Sequence, residues 1–81
     1  MPPVSIERFL KELEKLKGDM DAGKLKSGGY DQRLARVIQE LRERGVDADR
    51  ARITAALVDA HQRGVITDSV KAHLEKRLGL V

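Results

Sequence analysis

The strongest constraint on this chain is its punctuation: apolar residues recur at helical spacing in four stretches, and each stretch runs into a glycine, at Gly23, Gly45, Gly64 and Gly79. A glycine just past the last periodic residue is a helix stop, because it accepts the left-handed backbone that ends a helix. No stretch alternates polar and apolar residues long enough to make a substantial strand. With 81 residues the chain has room for one domain, residues 1–81. The spacing therefore predicts an all-α fold, a small four-helix bundle of two helical hairpins, with helices at about 6–22, 30–44, 48–63 and 67–78.

Taken in order, Pro2 and Pro3 keep residues 1–4 extended, and Ser5 caps a helix beginning at Ile6. Ile6, Phe9, Leu13, Leu16 and Met20 then step by 3, 4, 3 and 4, with Leu10 widening the stripe. Residues 23–29 form a flexible loop of glycines and lysines. Gly18 to Lys24 has the glycine–lysine spacing that opens a phosphate-binding loop. A helix rather than a strand leads into it, however, and Leu25 replaces the hydroxyl that would hold magnesium. The second helix, from Tyr30 or Asp31 to Arg44, turns Leu34, Val37, Ile38 and Leu41 inward. Asp47 is expected to cap the third helix and Thr67 the fourth, whose stripe is Val70, Leu74 and Leu78.

Ile53 to Ala60 is the one place where apolar residues spread past a single stripe. Ile53, Ala56, Leu57 and Ala60 share one face, and Ala51, Ala55 and Val58 the next. That pattern predicts a central helix approached from both sides. There is also a faint internal echo, since Leu16 precedes Gly23 by the same interval as Leu57 precedes Gly64, and Leu25 and Ile66 follow in step.

Composition narrows the chemistry. The chain has no cysteine, so disulfides and thiolate metal sites are excluded and a reducing, cytoplasmic setting is expected. No apolar run has the length of a membrane span, so no membrane partner is expected. With only two histidines, His61 and His73, and with Ser5, Ser27 and Ser69 near helix caps or in a glycine loop, no nucleophile–base–orienter set assembles. The reading is therefore not an enzyme: no catalytic residues, no cofactor, no metal and no small-molecule substrate.

The net charge of +3 is spread along the chain rather than gathered in a tail. Ala60 to Leu74 nonetheless has the spacing of a helix-turn-helix, with an alanine before the turn glycine, Val65 directly after it, and Val70 and Leu74 beyond. In that arrangement Thr67, Asp68, Ser69 and Lys71 would face base edges. Asp59 and Arg63 stand where the motif buries apolar side chains, and Asp68 would bring negative charge toward phosphate. The available phosphate contacts are Arg33, Arg36, Arg50, Arg52, Arg63 and Lys71.

Two local resemblances follow. Arg36 to Val46, continuing to Leu57, resembles the three-helix repeat of RecX proteins in its arginine, its Gln39-Glu40-Leu41 and its Arg44-Gly45-Val46 turn. Leu57 to Leu80, with Gly64-Val65-Ile66-Thr67 and Leu78-Gly79-Leu80, resembles the SHOCT short C-terminal hairpin, with Val70 in place of an aromatic residue. The first implies docking to a protein filament on DNA, the second an association module. The expectation is a non-catalytic helical interaction module that binds a protein partner or itself, through an apolar surface containing Phe9, Leu10 and Leu13. A nucleic-acid-binding regulator is the alternative.

Overall fold

Four helices carry the chain, as a computed structural model describing residues 2–81 shows. They are α1 (Ile6–Asp21), α2 (Gly29–Arg44), α3 (Arg50–Gln62) and α4 (Asp68–Arg77), with two short strands, β1 (Val4–Ser5) and β2 (Val46–Asp47), ahead of α1 and α3. Helix α1 packs against α2 and α3, and α3 against α4. The fold is all-α, two helical hairpins joined through α1 and α3.

Each helix starts and stops for local reasons. Ser5, Asp49 and Thr67 have extended backbones, and their side chains accept hydrogen bonds from the N–H groups of Arg8, Arg52 and Val70. Each cap satisfies one of the donors a helix leaves open at its start. At the other end, Gly23 and Gly64 adopt φ of 71° and 76° and close matching turns. The N–H of Lys24 donates to Asp19 O at 2.9 Å and that of Val65 to Ala60 O at 2.8 Å, while Gly23 and Gly64 donate to Met20 and His61. This is the double hydrogen bond of the glycine-ended helix stop. The faint echo in the sequence is thus a shared way of ending α1 and α3.

One expected cap moves. Asp49, not Asp47, caps α3, because Val46–Asp47 is drawn into a parallel pairing with Val4–Ser5. The N-terminal segment is held there by Val4 N–H donating to Gly45 O at 3.0 Å and by Arg44, whose Nε and Nη2 both donate to Pro2 O. Val4 is buried as a result.

The core is built from Val4, Ile6, Phe9, Leu13, Leu16, Leu34, Ile38, Leu41, Ile53, Leu57, Ala60, Ile66 and Leu74. Phe9, Leu13, Leu16, Leu57 and Leu74 are its largest fully enclosed side chains. Each such burial contributes about 1.5–3 kcal/mol relative to exposure. The broad apolar band on α3 resolves into one inward face. Ala51, Ala55 and Val58 face solvent, so the second apolar face of α3 stays uncovered although α1 and α4 both pack against the helix, and α3 shares the centre of the fold with α1. The reason is geometric: α1 covers one side of α3 and α4 part of another, and no fifth element remains to cover the rest.

Candidate interaction surface

The expected apolar surface is corrected first. Phe9 and Leu13 are each 1% exposed, enclosed in the core between the hairpins, and only Leu10 reaches its edge, half-buried. The 3–4 spacing that marked them out is the spacing of a core stripe. In this fold it is fully used inside the monomer.

The basic residues divide into two groups. Arg33 Nη1 lies 2.5 Å from Asp19 Oδ2, Arg52 Nη2 3.3 Å from Glu7 Oε1, and Lys71 Nζ 3.2 Å from Glu75 Oε2. Arg63 spans from α3 to α1, with Nε on Asp59 at 2.8 Å and Nη1 on Glu14 at 3.0 Å. The two carboxylates raise the Arg63 pKa, the hydrogen bond to Glu14 contributing most. The Arg33 hydrogen bond, in turn, holds the Asp19 carboxyl below its ordinary value. Arg36 and Arg50 are exposed, and neither is in an ion pair among the described residues. Four of the six candidate phosphate contacts therefore already have carboxylate partners, and binding phosphate would compete with those pairs. His61 Nε2 pairs with Asp68 Oδ1 across the α3–α4 turn, while Asp59 is held by Arg63.

A different surface emerges between α2 and α4. Three open hollows are lined by residues of both helices. The first is lined by Lys17, Met20 and Asp21 of α1, Tyr30 and Asp31 of α2, and residues of the α3–α4 turn and early α4, including Val65 and Val70. The second takes in Asp31, Leu34, Ser69, Val70 and His73. The third is framed by Leu41, Arg42, Val46, Ile53, Arg77 and Leu78. The first residues of both helices border one end and their last residues the other, so α2 and α4 run in the same direction. The first two hollows share Asp31, Ser69 and Val70 and make one groove at the starts of α2 and α4, while the third lies at their far ends.

The floor of this surface is apolar, and charged side chains stand around its rims. Leu34, Leu41 and Ile53 lie at the bottom, with half-buried Tyr30, Val65, Val70 and Leu78 along the sides. At the first end stand Asp21, Asp31 and, in an adjoining hollow, Lys26; Lys17 pairs with Asp21 at 2.6 Å, leaving Asp31 and Lys26 unpaired among the described residues. At the other end Arg42 and Arg77 are exposed and likewise have no ion-pair partner among them. Burial raises the Tyr30 hydroxyl above its ordinary pKa, with the Asp31 charge adding to it, so the phenol remains a neutral donor at the groove wall. Met20, 56% exposed, borders the first end.

Sequence reasoning missed this surface because it treated Val70 and Leu78 as core positions and Tyr30 only as the start of a helix. Periodicity identifies which face of a helix is apolar but not how far apart two neighbouring helices stand. The one usable signal was charge, since Arg42 sits directly after Leu41 and Arg77 directly before Leu78, at the border of each stripe. No family model, curated protein or solved structure matches the chain. Among the described residues, no helix is long and apolar enough to cross a membrane.

Proposed function

We propose that this chain is a non-catalytic interaction module whose α2–α4 groove receives a helical surface from a protein partner or from another copy of itself. The observation that supports this reading is the groove's lining: buried Leu34, Leu41 and Ile53, half-buried Tyr30, Val65, Val70 and Leu78 beside them, and polar or charged Asp31, Arg42, Ser69, His73 and Arg77 around the rims. Apolar anchors in such a groove supply affinity, and rim charges set orientation. The partner surface accordingly shifts from Phe9, Leu10 and Leu13 to Met20, Tyr30, Val70 and Leu78. The resemblances to the RecX repeat and to SHOCT point the same way, toward association rather than catalysis. A cytoplasmic site of action belongs to the same reading and rests on the absence of cysteine.

The test is photo-crosslinking in cells from a reactive amino acid placed at Ser69, on the groove, against the same residue at exposed Lys15 of α1, which is not among the groove residues. Adducts heavier than the free chain are expected from Ser69 and not from Lys15. Equal adducts from both positions, or none from Ser69, would remove the groove as the working surface.

Nucleic-acid binding is the second reading, favoured by exposed Arg36 and Arg50, neither of which is in an ion pair among the described residues. The double variant Arg36→Glu/Arg50→Glu should weaken binding to a mixed-sequence DNA duplex and reduce its salt dependence. A wild-type protein that ignores the duplex at low salt ends this alternative.

A further inference from the structure

The third hollow differs from the groove at the starts of α2 and α4 in carrying one sign of charge. That groove and the hollow adjoining it mix Lys17 and Lys26 with Asp21 and Asp31. At the far ends, the charged lining residues among the described ones are Arg42 of α2 and Arg77 of α4, set around an apolar surface of Leu41, Val46, Ile53 and Leu78. Both arginines are exposed, and neither is in an ion pair among the described residues. The carboxylates nearest them in sequence do not fill that role. Glu43 accepts from the Gln39 amide at 2.7 Å, Glu75 pairs with Lys71, Asp49 caps α3, and Asp47 is not part of the lining. Each arginine lies in the last turn of its helix, where a cation suits the dipole. The dipole accounts for positive charge at a helix end but not for the apolar surface that the two arginines share.

From this lining, and resting on the interaction-module reading above, we infer that the third hollow takes an acidic segment of a protein partner, in which an apolar side chain is flanked by aspartate or glutamate. The apolar side chain covers Ile53 and Leu78, and the carboxylates accept from the guanidinium groups of Arg42 and Arg77, whose forked donors suit a carboxylate. The rest of the lining is Gly45 and Gly79, where even an added Cβ would meet nothing within 4 Å, so the approach is open. Nucleic acid is the poorer occupant. Arginine serves phosphate as well as carboxylate, but the chain's two aromatic residues, Phe9 and Tyr30, lie in the core and at the other groove, so no ring lines the hollow to stack a base. A phosphate backbone would also leave the apolar surface uncovered.

Fluorescence anisotropy with synthetic peptides tests the assignment on the whole chain. The probe is a labelled helical peptide with leucine along one face and glutamate flanking it, and its counterparts carry glutamine or lysine in place of glutamate. The glutamate peptide should bind about tenfold or more tightly than the glutamine peptide, and the lysine peptide more weakly still. Arg42→Gln/Arg77→Gln should abolish the preference for glutamate, and Arg42→Glu/Arg77→Glu should reverse it in favour of lysine. Circular dichroism of each variant checks that its helices are intact.

Equal binding of the three peptides, no binding of the glutamate peptide at low salt, or a preference that survives Arg42→Gln/Arg77→Gln would each overturn the acidic segment. So would a mixed-sequence DNA duplex that binds more tightly than the glutamate peptide and depends on the same two arginines. Failure here is distinguishable from failure of the broader reading. Peptide preferences that fail while Ser69 adducts still form in cells remove the acidic segment and keep the module. Absence of Ser69 adducts from the otherwise wild-type chain removes the module and, with it, the inference that rests on it.

Discussion

The two hairpins share a plan and differ in how tightly it is tied. Both pass from a capped helix, through a glycine stop with the same pair of hydrogen bonds, into a second helix. The first hairpin encloses large side chains, Ile6, Phe9, Leu13 and Leu16 from α1, but its connection over residues 22–28 is long and its apolar anchor, Leu25, is only half-buried. In the second, α3 contributes Ile53, Leu57 and small Ala60, and the short connection over 63–67 drops Ile66 into the core at 3% exposure. The first hairpin is held by the bulk of its helices and the second by its turn. The groove lies between the outer helices, α2 and α4, which the inner contact of α1 with α3 holds apart.

The sharpest way to break this comparison is to put charge into the bulky half. Leu13→Lys should unfold the domain at room temperature, because the position is 1% exposed and an unpaired buried ammonium costs more than a small domain's margin. Val58→Lys, on the exposed face of α3, should change stability by no more than about 0.5 kcal/mol. Circular dichroism with urea titration distinguishes the two. A folded Leu13→Lys protein would return that residue to the surface.

The turns provide the next test. Ile66→Ala should cost about 2–4 kcal/mol by leaving a cavity under the second turn. Leu25→Ala should cost less than half as much, since much of that side chain already meets water. Equal losses in urea midpoint would mean the two connections are tied alike. Alanine at the glycine stops separates them more finely. A Cβ at Gly23 or Gly64 meets nothing within 4 Å, so only the left-handed backbone is strained. That strain is about 1–2 kcal/mol. It should appear in full for Gly64→Ala, where Ile66 pins the turn, and be partly relieved for Gly23→Ala, where the longer loop can readjust. Thermal melts of the two variants compare them directly.

The same contrast explains what was legible in the sequence. Helix number, order and inward faces follow from local periodicity and glycine stops, and these survive because the core uses almost every predicted stripe, from Phe9 and Leu13 to Leu57 and Leu74. Long-range pairing was not legible. Asp47 lost its capping role to a strand contact with Ser5, residues far apart in the chain. Phe9 and Leu13 were placed on a surface because spacing shows an apolar face without showing what covers it. The groove was missed for the converse reason, since Tyr30, Val70 and Leu78 satisfy the helical pattern whether or not a neighbour closes over them. The ion pairs of Arg52 with Glu7 and of Arg63 with Glu14 likewise join residues of different helices, beyond the reach of any local rule.

The smallest expected effect concerns acid, and it belongs to the first hairpin. Asp19, near the end of α1, is held by Arg33 of α2, and that hydrogen bond depresses its pKa below the ordinary carboxylate value of 3.8. A carboxyl whose folded pKa lies below its unfolded one binds more protons in the unfolded chain. Its contribution to stability is therefore fully present above the unfolded value and is lost as pH falls through the folded one. Asp19→Asn should lower the urea midpoint slightly at neutral pH, and the gap from wild type should narrow as pH falls below 3.8 and the wild-type carboxyl itself takes up a proton. Both partners are partly open to solvent, at 30% for Arg33 and 22% for Asp19, so added salt should also shrink the effect. A gap that keeps its size down through the acid range would mean that asparagine disturbs the α1–α2 contact by shape rather than charge. The two hairpins would then differ only in packing and turn length, with no electrostatic share in what ties the first.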